Sequence, residues 1–159
     1  MLSKPILTLV LPLAVRWAER NERHILKEGV SLTSAQVADA RDVQVKDPER
    51  VRLLKVEQIP WPIHPMLRVA AEATGLLAAD TIGLTLHYGI FIRADHWNSR
   101  RLVVHELAHT AQYERMGGIR PFLKTYLYEC LTAGYPFGEL EREAREVENE
   151  ICGDRGFPH

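Results

Sequence analysis

Residues 99–117 read SRRLVVHELAHTAQYERMG, and they carry the clearest signal for secondary structure in the sequence. Ser99, or Asn98 before it, can accept a hydrogen bond from the free amides at the start of a helix, and Gly117-Gly118 can end that helix. Apolar side chains occupy most positions between these ends: Leu102, Val103, Val104, Leu107, Ala108 and Ala111. A helix that is apolar around most of its surface is buried. We therefore predict a buried helix over about residues 99–116.

The segment before this helix has the alternation of a strand. One set of side chains in residues 81–93 is apolar and falls on every second position: Ile82, Leu84, Leu86, Tyr88, Ile90 and Ile92. A period of two predicts a single strand with this set on one buried face. Residues 51–59 are rich in aliphatic side chains and predict a second strand. Caps, prolines and apolar spacing predict helices over residues 12–28, 33–41, 65–75, from 121 to about 134, and 138–151.

The composition is that of one ordinary globular domain. The chain has 159 residues, of which 46% are hydrophobic and 26% charged, with a net charge of −1. These values argue against disorder and predict neither a nucleic-acid nor a membrane partner. Cys130 and Cys152 are too few for a disulfide scaffold and indicate free thiols in a reducing, cytoplasmic setting. Export, with one disulfide, is the alternative raised by Lys4 and the apolar run of residues 6–15.

The pentapeptide His105-Glu106-Leu107-Ala108-His109 places two histidines and a glutamate on the buried helix. Side chains four residues apart project from one helix face, so both imidazoles can reach a single metal ion. A catalytic zinc site needs three protein ligands and a fourth position for water. Glu106 lies beside the pair and can accept a proton from that water. The alternative is a chance pattern on a core helix, with each histidine hydrogen-bonded to backbone or to a carboxylate.

The stretch from Gly83 to Arg115 resembles the core of gluzincin-type zinc metallopeptidases, and most of all their very small single-domain bacterial members. The resemblance extends over roughly residues 83–148 and is most specific at the pentapeptide. In that family the third zinc ligand is a glutamate on a later helix, within a Glu-x-x-Ala-Asp-like pattern. Residues 141–145 read EREAR and match this pattern through the alanine. The resemblance therefore implies Glu141 as the third ligand.

Arg145 departs from the family pattern, which often has an aspartate there to orient a ligating histidine. Either another carboxylate takes that role or the site binds zinc less tightly. Helical geometry alone leaves Glu143 open as the ligand, because Glu141 and Glu143 flank the apolar stripe on opposite sides. The motif favours Glu141. We assign the remaining acidic side chains of this helix to a solvated face: Glu139, Glu146, Glu148 and Glu150.

Four further residues have alternative interpretations. His87 is interpreted as a surface histidine, although the resemblance would place its strand along the rim of a substrate cleft. Tyr126, Tyr128 and Tyr135 can each supply a hydroxyl that stabilises an oxyanion, and half-buried packing explains each of them equally well.

The expected function is a zinc peptidase that acts on a peptide or protein substrate. His105, His109 and Glu141 would bind Zn²⁺, and Glu106 would be the general base. A non-catalytic zinc-stabilised interaction module is the alternative, supported by the short chain and by Arg145. A helical binding domain without metal is a third hypothesis, and zinc stoichiometry distinguishes it from the other two.

The expected fold is α+β: a mainly helical, zincin-like domain with a small, partly antiparallel sheet. Its edge strand, about residues 81–93, is predicted to lie beside the zinc helix, about residues 99–116. Residues 1–159 would form one domain, with an N-terminal helical segment over 1–80 and a catalytic core over 81–152.

Overall fold

The computed structural model describes residues 4–153. Six α-helices account for most of this range. They are α1 (Lys4–Glu28), α2 (Ser34–Asp42), α3 (Pro65–Thr74), α4 (Arg100–Met116), α5 (Ile119–Thr132) and α6 (Glu139–Cys152). Four strands complete the fold: β1 (Val30–Ser31), β2 (Arg52–Val56), β3 (Gly83–Leu86) and β4 (Gly89–Arg93). The α+β class, mainly helical with a small sheet, is confirmed.

The strands form one mixed sheet in the order β1-β2-β4-β3. β1 and β2 are antiparallel, β2 and β4 are parallel, and β3 and β4 are antiparallel. β3 is thus an edge strand, and it packs against α4 as expected of the edge strand. β2 lies within residues 51–59, so the strand predicted there is confirmed, and it lies between β1 and β4 in the sheet.

The prediction of one continuous strand over residues 81–93 is wrong, because the chain reverses at His87 and Tyr88. Leu86 pairs with Gly89 across this two-residue turn, and His87 has a φ of 63°. Residues opposite each other in an antiparallel pair point to the same face. Leu84 pairs with Phe91 and points to the same face, whereas Ile90 and Ile92 point to the opposite face. The single apolar face predicted for residues 81–93 therefore does not exist.

Each face of the sheet is covered by its own apolar cluster. Phe91 and Leu86 belong to a cluster with side chains of α1, α3 and α5. Ile90 and Ile92 belong to a second cluster with side chains of α2, α4 and α6. Burial on both faces explains why β4 reads as an almost continuous apolar run.

Most helix ends follow the local signals. The Thr33 side chain accepts from the amide of Gln36, and Ser99 accepts from the amide of Leu102. Gly75 and Gly117 end α3 and α4 in the left-handed conformation.

The start of α1 differs from the prediction of residues 12–28. The helix begins eight residues earlier, at Lys4, and contains Pro12. Val10 and Leu11 before the proline and Ala14 and Val15 after it are buried in the first apolar cluster, and this packing favours helix on both sides of the proline. Within residues 4–153, no helix has the length and hydropathy needed to cross a membrane. Cys130 and Cys152 are free thiols, as expected.

Candidate metal centre

Helices α4 and α6 bring His105, His109 and Glu141 together. Nε2 of His105 lies 3.1 Å from Oε2 of Glu141, and Nε2 of His109 lies 3.0 Å from Oε1 of the same carboxylate. The potential ligand atoms of the three residues all lie within 4.8 Å of one another. His109 and Glu141 are buried, and the side chain of His105 is 16% exposed. The two histidines predicted as ligands therefore share one carboxylate, which comes from Glu141.

The position of Glu141 is fixed by the start of α6. The Glu129 carboxylate, on α5, accepts a hydrogen bond from the amide of Leu140 at 3.0 Å and so satisfies a free donor of the first turn. A side chain at Gly138 would come within 2.8 Å of Glu129. Leu140 and Ala144 are buried beneath the helix. These contacts place Glu141, in the first turn, against α4.

The outer nitrogen of each histidine also has an oxygen partner. Nδ1 of His105 lies 3.0 Å from Oε2 of Glu148, and Nδ1 of His109 lies 2.8 Å from Oε1 of Gln112. The Gln112 amide donates to the carbonyl of Leu140, so its oxygen is the atom that faces His109. A proton on Nδ1 of each ring leaves Nε2 as the nitrogen that can bind a metal.

The assignment of Glu148 to a solvated face is therefore wrong. Its side chain is only 17% exposed, because it lies between His105 and Arg101, whose Nε is 2.7 Å from Oε1 of Glu148. Glu148 follows Glu141 by seven residues, so both carboxylates lie on the same side of α6. Glu148 is thus the carboxylate that contacts Nδ1 of His105. Arg145 instead donates to the carbonyl of Pro136 at 2.7 Å.

The cluster concentrates negative charge around His105. Burial alone would lower the pKa of His105, but the carboxylates of Glu141, Glu106 and Glu148 outweigh it and raise the pKa to about 9. Burial would raise the pKa of Glu141, and its hydrogen bonds to His105 and His109 instead hold it well below its usual range. An imidazole nitrogen 3 Å from a carboxylate oxygen needs a bridging atom, because the lone pairs of the two atoms would otherwise repel each other. That atom is either the hydrogen of an N–H group or a metal ion.

Glu106 is held beside the ligands by the edge strand. Thr85 Oγ1 donates to Oε2 of Glu106 at 2.5 Å. A Cβ atom at Gly83 would lie 2.8 Å from Oε1 of Glu106, so only glycine leaves room for this carboxylate. Tyr113 donates to the carbonyl of Thr85 at 3.0 Å and thereby ties β3 to α4. Glu106 and the three clustered side chains line one cavity.

Two of the three tyrosines face this cavity. Tyr126 donates to Oε1 of Glu141 at 2.6 Å, and burial, with Glu141, raises its pKa well above the usual range. Tyr135 lines the cavity and is 41% exposed, so it lies where the cavity meets solvent. Burial of its ring and the carboxylates of Glu141 and Glu106 raise the pKa of Tyr135 to about 12, and it stays protonated at neutral pH. Tyr128 is exposed and does not line the cavity.

The other predicted alternatives lie outside the cluster. Glu143 forms a salt bridge with Arg115 at 2.9 Å on an exposed side of α6. His87 pairs with Glu22 of α1 at 3.2 Å and does not line the cavity. Two imidazoles and a carboxylate match the ligand types of a divalent metal site. The group of His105, His109 and Glu141 can thus hold a metal ion.

Searches for related proteins do not extend this description. No family model, no curated protein and no solved structure matches the chain. The assignment of a function consequently rests on the chemistry of the site.

Proposed function

We propose that this protein is a zinc-dependent peptidase. The observation that carries the proposal is the convergence of His105 Nε2, His109 Nε2 and the Glu141 carboxylate, with a second carboxylate, Glu106, in the same cavity. Atoms that share a tetrahedral zinc ion at about 2.0–2.1 Å lie about 3.3 Å apart. The nitrogen-to-oxygen separations of 3.0 and 3.1 Å are close to that spacing. Three such ligands leave one coordination position for water or substrate.

A zinc ion held by His105, His109 and Glu141 would supply an acidic bound water and would polarise a carbonyl group. Glu106 is the residue that moves the proton. Thr85 holds its Oε2 atom, which leaves Oε1 to accept a proton and return it to the leaving amine. Tyr135, protonated and at the cavity opening, can donate a hydrogen bond to the developing oxyanion.

Metal analysis of the purified protein tests the first half of the proposal. We expect about one zinc per chain in the wild type and a large loss of bound zinc in His109→Ala and Glu141→Ala. A protein that has no zinc after purification and takes up none in titration would contradict the proposal.

Substitution of Glu106 tests the second half. Glu106→Gln should keep zinc bound but lower peptide hydrolysis by about 10²–10⁴-fold, since the general base is lost. Full activity in this variant would exclude the mechanism. A non-catalytic metal site is the competing result: zinc would bind and raise the melting temperature, but the wild type would hydrolyse no peptide.

A further inference from the structure

The cavity beside the metal centre has an apolar side that the catalytic proposal does not use. It measures about 100 Å³ and is lined by the clustered side chains and by many apolar residues. Those from α1 and α3 include Val10, Ala14, Trp17, Leu67, Ala70 and Ala71. α5 adds Phe122, Leu123 and Leu127. Both α1 and α3 come from the part of the chain that does not resemble the metallopeptidases.

The charged and titratable histidine and glutamate side chains of the cavity belong to the metal cluster and Glu106, and its other polar side chains are uncharged threonines and tyrosines: Thr81, Thr85, Tyr113, Tyr126 and Tyr135. Among the residues that the structure describes, the remaining wall carries no cationic side chain that could pair with an acidic substrate group. Burying a charged side chain there without a partner would be strongly unfavourable, whereas an aliphatic group gains from leaving water. The wall therefore favours an uncharged, apolar substrate group.

The volume sets the size of that group. A dry apolar cavity of about 150 Å³ binds benzene or xenon. The cavity here is smaller, and small residues such as Ala14, Ala70 and Ala71 leave the space that a ligand can fill. A branched aliphatic side chain of four carbons fits this volume better than an indole ring does.

We propose that the cavity is a specificity pocket for a branched aliphatic side chain, such as leucine, next to the scissile bond. The inference rests on the proposed peptidase function, because that function places a substrate at the metal centre. Ala71, which lines the pocket but has no polar group, is on this view a specificity-determining residue.

A pair of variants on one helix tests the pocket itself. Ala71 lines the cavity, whereas Ala73, two residues later on α3, is exposed. Xenon titration of the metal-free protein, followed by ¹²⁹Xe NMR, should show specific binding in the wild type and in Ala73→Leu. Ala71→Leu should lose it, because the added carbons fill the space. Ala14→Leu, on α1, gives an independent variant should Ala71→Leu fail to fold.

Peptide cleavage tests the specificity. In a series that differs at one position beside the scissile bond, kcat/KM for leucine should exceed that for glycine, aspartate and tryptophan by about tenfold or more. Ala71→Leu should remove this preference, and Ala73→Leu should keep it. Cleavage without any side-chain preference would contradict the specificity pocket but not the peptidase function. Xenon binding that is absent in the wild type would also overturn it. Xenon binding without cleavage of any peptide would instead overturn the peptidase function and, with it, the substrate assignment.

Discussion

Oε2 of Glu148 lies 3.0 Å from Nδ1 of His105, and the same carboxylate pairs through Oε1 with Arg101. This contact orients the ring so that Nε2 faces Glu141. Glu148 thus holds a potential metal ligand in place without being part of the cluster itself.

Loss of Glu148 should therefore weaken metal binding without abolishing it. We expect Glu148→Ala to lower zinc affinity by about 10–100-fold, the usual effect of removing the partner of a ligating histidine. Competition with a chelator measures this affinity. Glu146→Ala is the matched control, because Glu146 is exposed on the same helix and pairs with Arg142 instead of a histidine. Equal affinities in the two variants would contradict the role of Glu148.

The choice between Glu141 and Glu143 has a direct test. Glu141→Gln should reduce zinc affinity by 100-fold or more, because a charged ligand is replaced by a neutral amide. Glu143→Gln should leave zinc binding unchanged, since Glu143 faces Arg115 and not the histidines. Isothermal titration with zinc compares the two. An equal loss in both variants would mean that neither is the specific ligand.

Zinc affinity should rise with pH. The pKa of His105 is raised to about 9, so below that pH the metal-free ring carries a proton that a metal must displace. One displaced proton predicts about a tenfold gain in apparent affinity per pH unit up to about pH 9. Measurements at pH 7, 8 and 9 give the slope. An affinity that is constant over this range would show that no such proton is released.

The metal-free protein should lose stability over the same range. A histidine with a folded-state pKa above its unfolded value of about 6.5 contributes stability that is fully present below that value. The contribution disappears as the pH rises through about 9. We expect a loss on the order of 1–3 kcal/mol in the free energy of unfolding between pH 6.5 and 9. Urea unfolding with a chelator present measures it, and zinc-loaded protein should show a smaller change.

Thr85 should act as a positioning residue for Glu106. Thr85→Val keeps the shape but removes the hydrogen bond to Oε2, so Glu106 is free to rotate. We expect kcat to fall by about tenfold or more while KM and zinc content stay near the wild-type values. A variant with unchanged kcat, or one in which kcat and zinc content fall together, would show that Thr85 is only structural.

The sequence was sufficient where the signal is local. Ser99 and Gly117 define α4 by their own hydrogen-bonding and backbone preferences, and spacing along one helix predicts that His105 and His109 share a face. Gln112 follows His109 by three residues and so lies on the same helix face. This spacing could have predicted Gln112 as the partner of the His109 ring. The turn within residues 81–93 was missed because His87 and Tyr88 are not among the residue types that usually form two-residue turns.

Contacts between helices could not be predicted in the same way. Whether Glu141, Glu143 or Glu148 meets α4 depends on how α6 is rotated about its axis. That rotation is set by the burial of Leu140 and Ala144 and by the Glu129 carboxylate at the first turn. The packing of α5 and α6 must therefore be known before these contacts can be assigned. The apolar wall from α1 and α3 was missed for the same reason.

Among residues 4–153, no buried side-chain nitrogen or oxygen is without a hydrogen-bond partner, and this includes the clustered ligands. Small zinc fingers unravel when their ion is withdrawn, because nothing else holds their ligands together. Here hydrogen bonds to neighbouring carboxylates and to Gln112 hold the two histidines in place without an ion. Chelation should therefore yield a native-like apoprotein, in which metal uptake displaces protons from the cluster and requires no refolding of the chain.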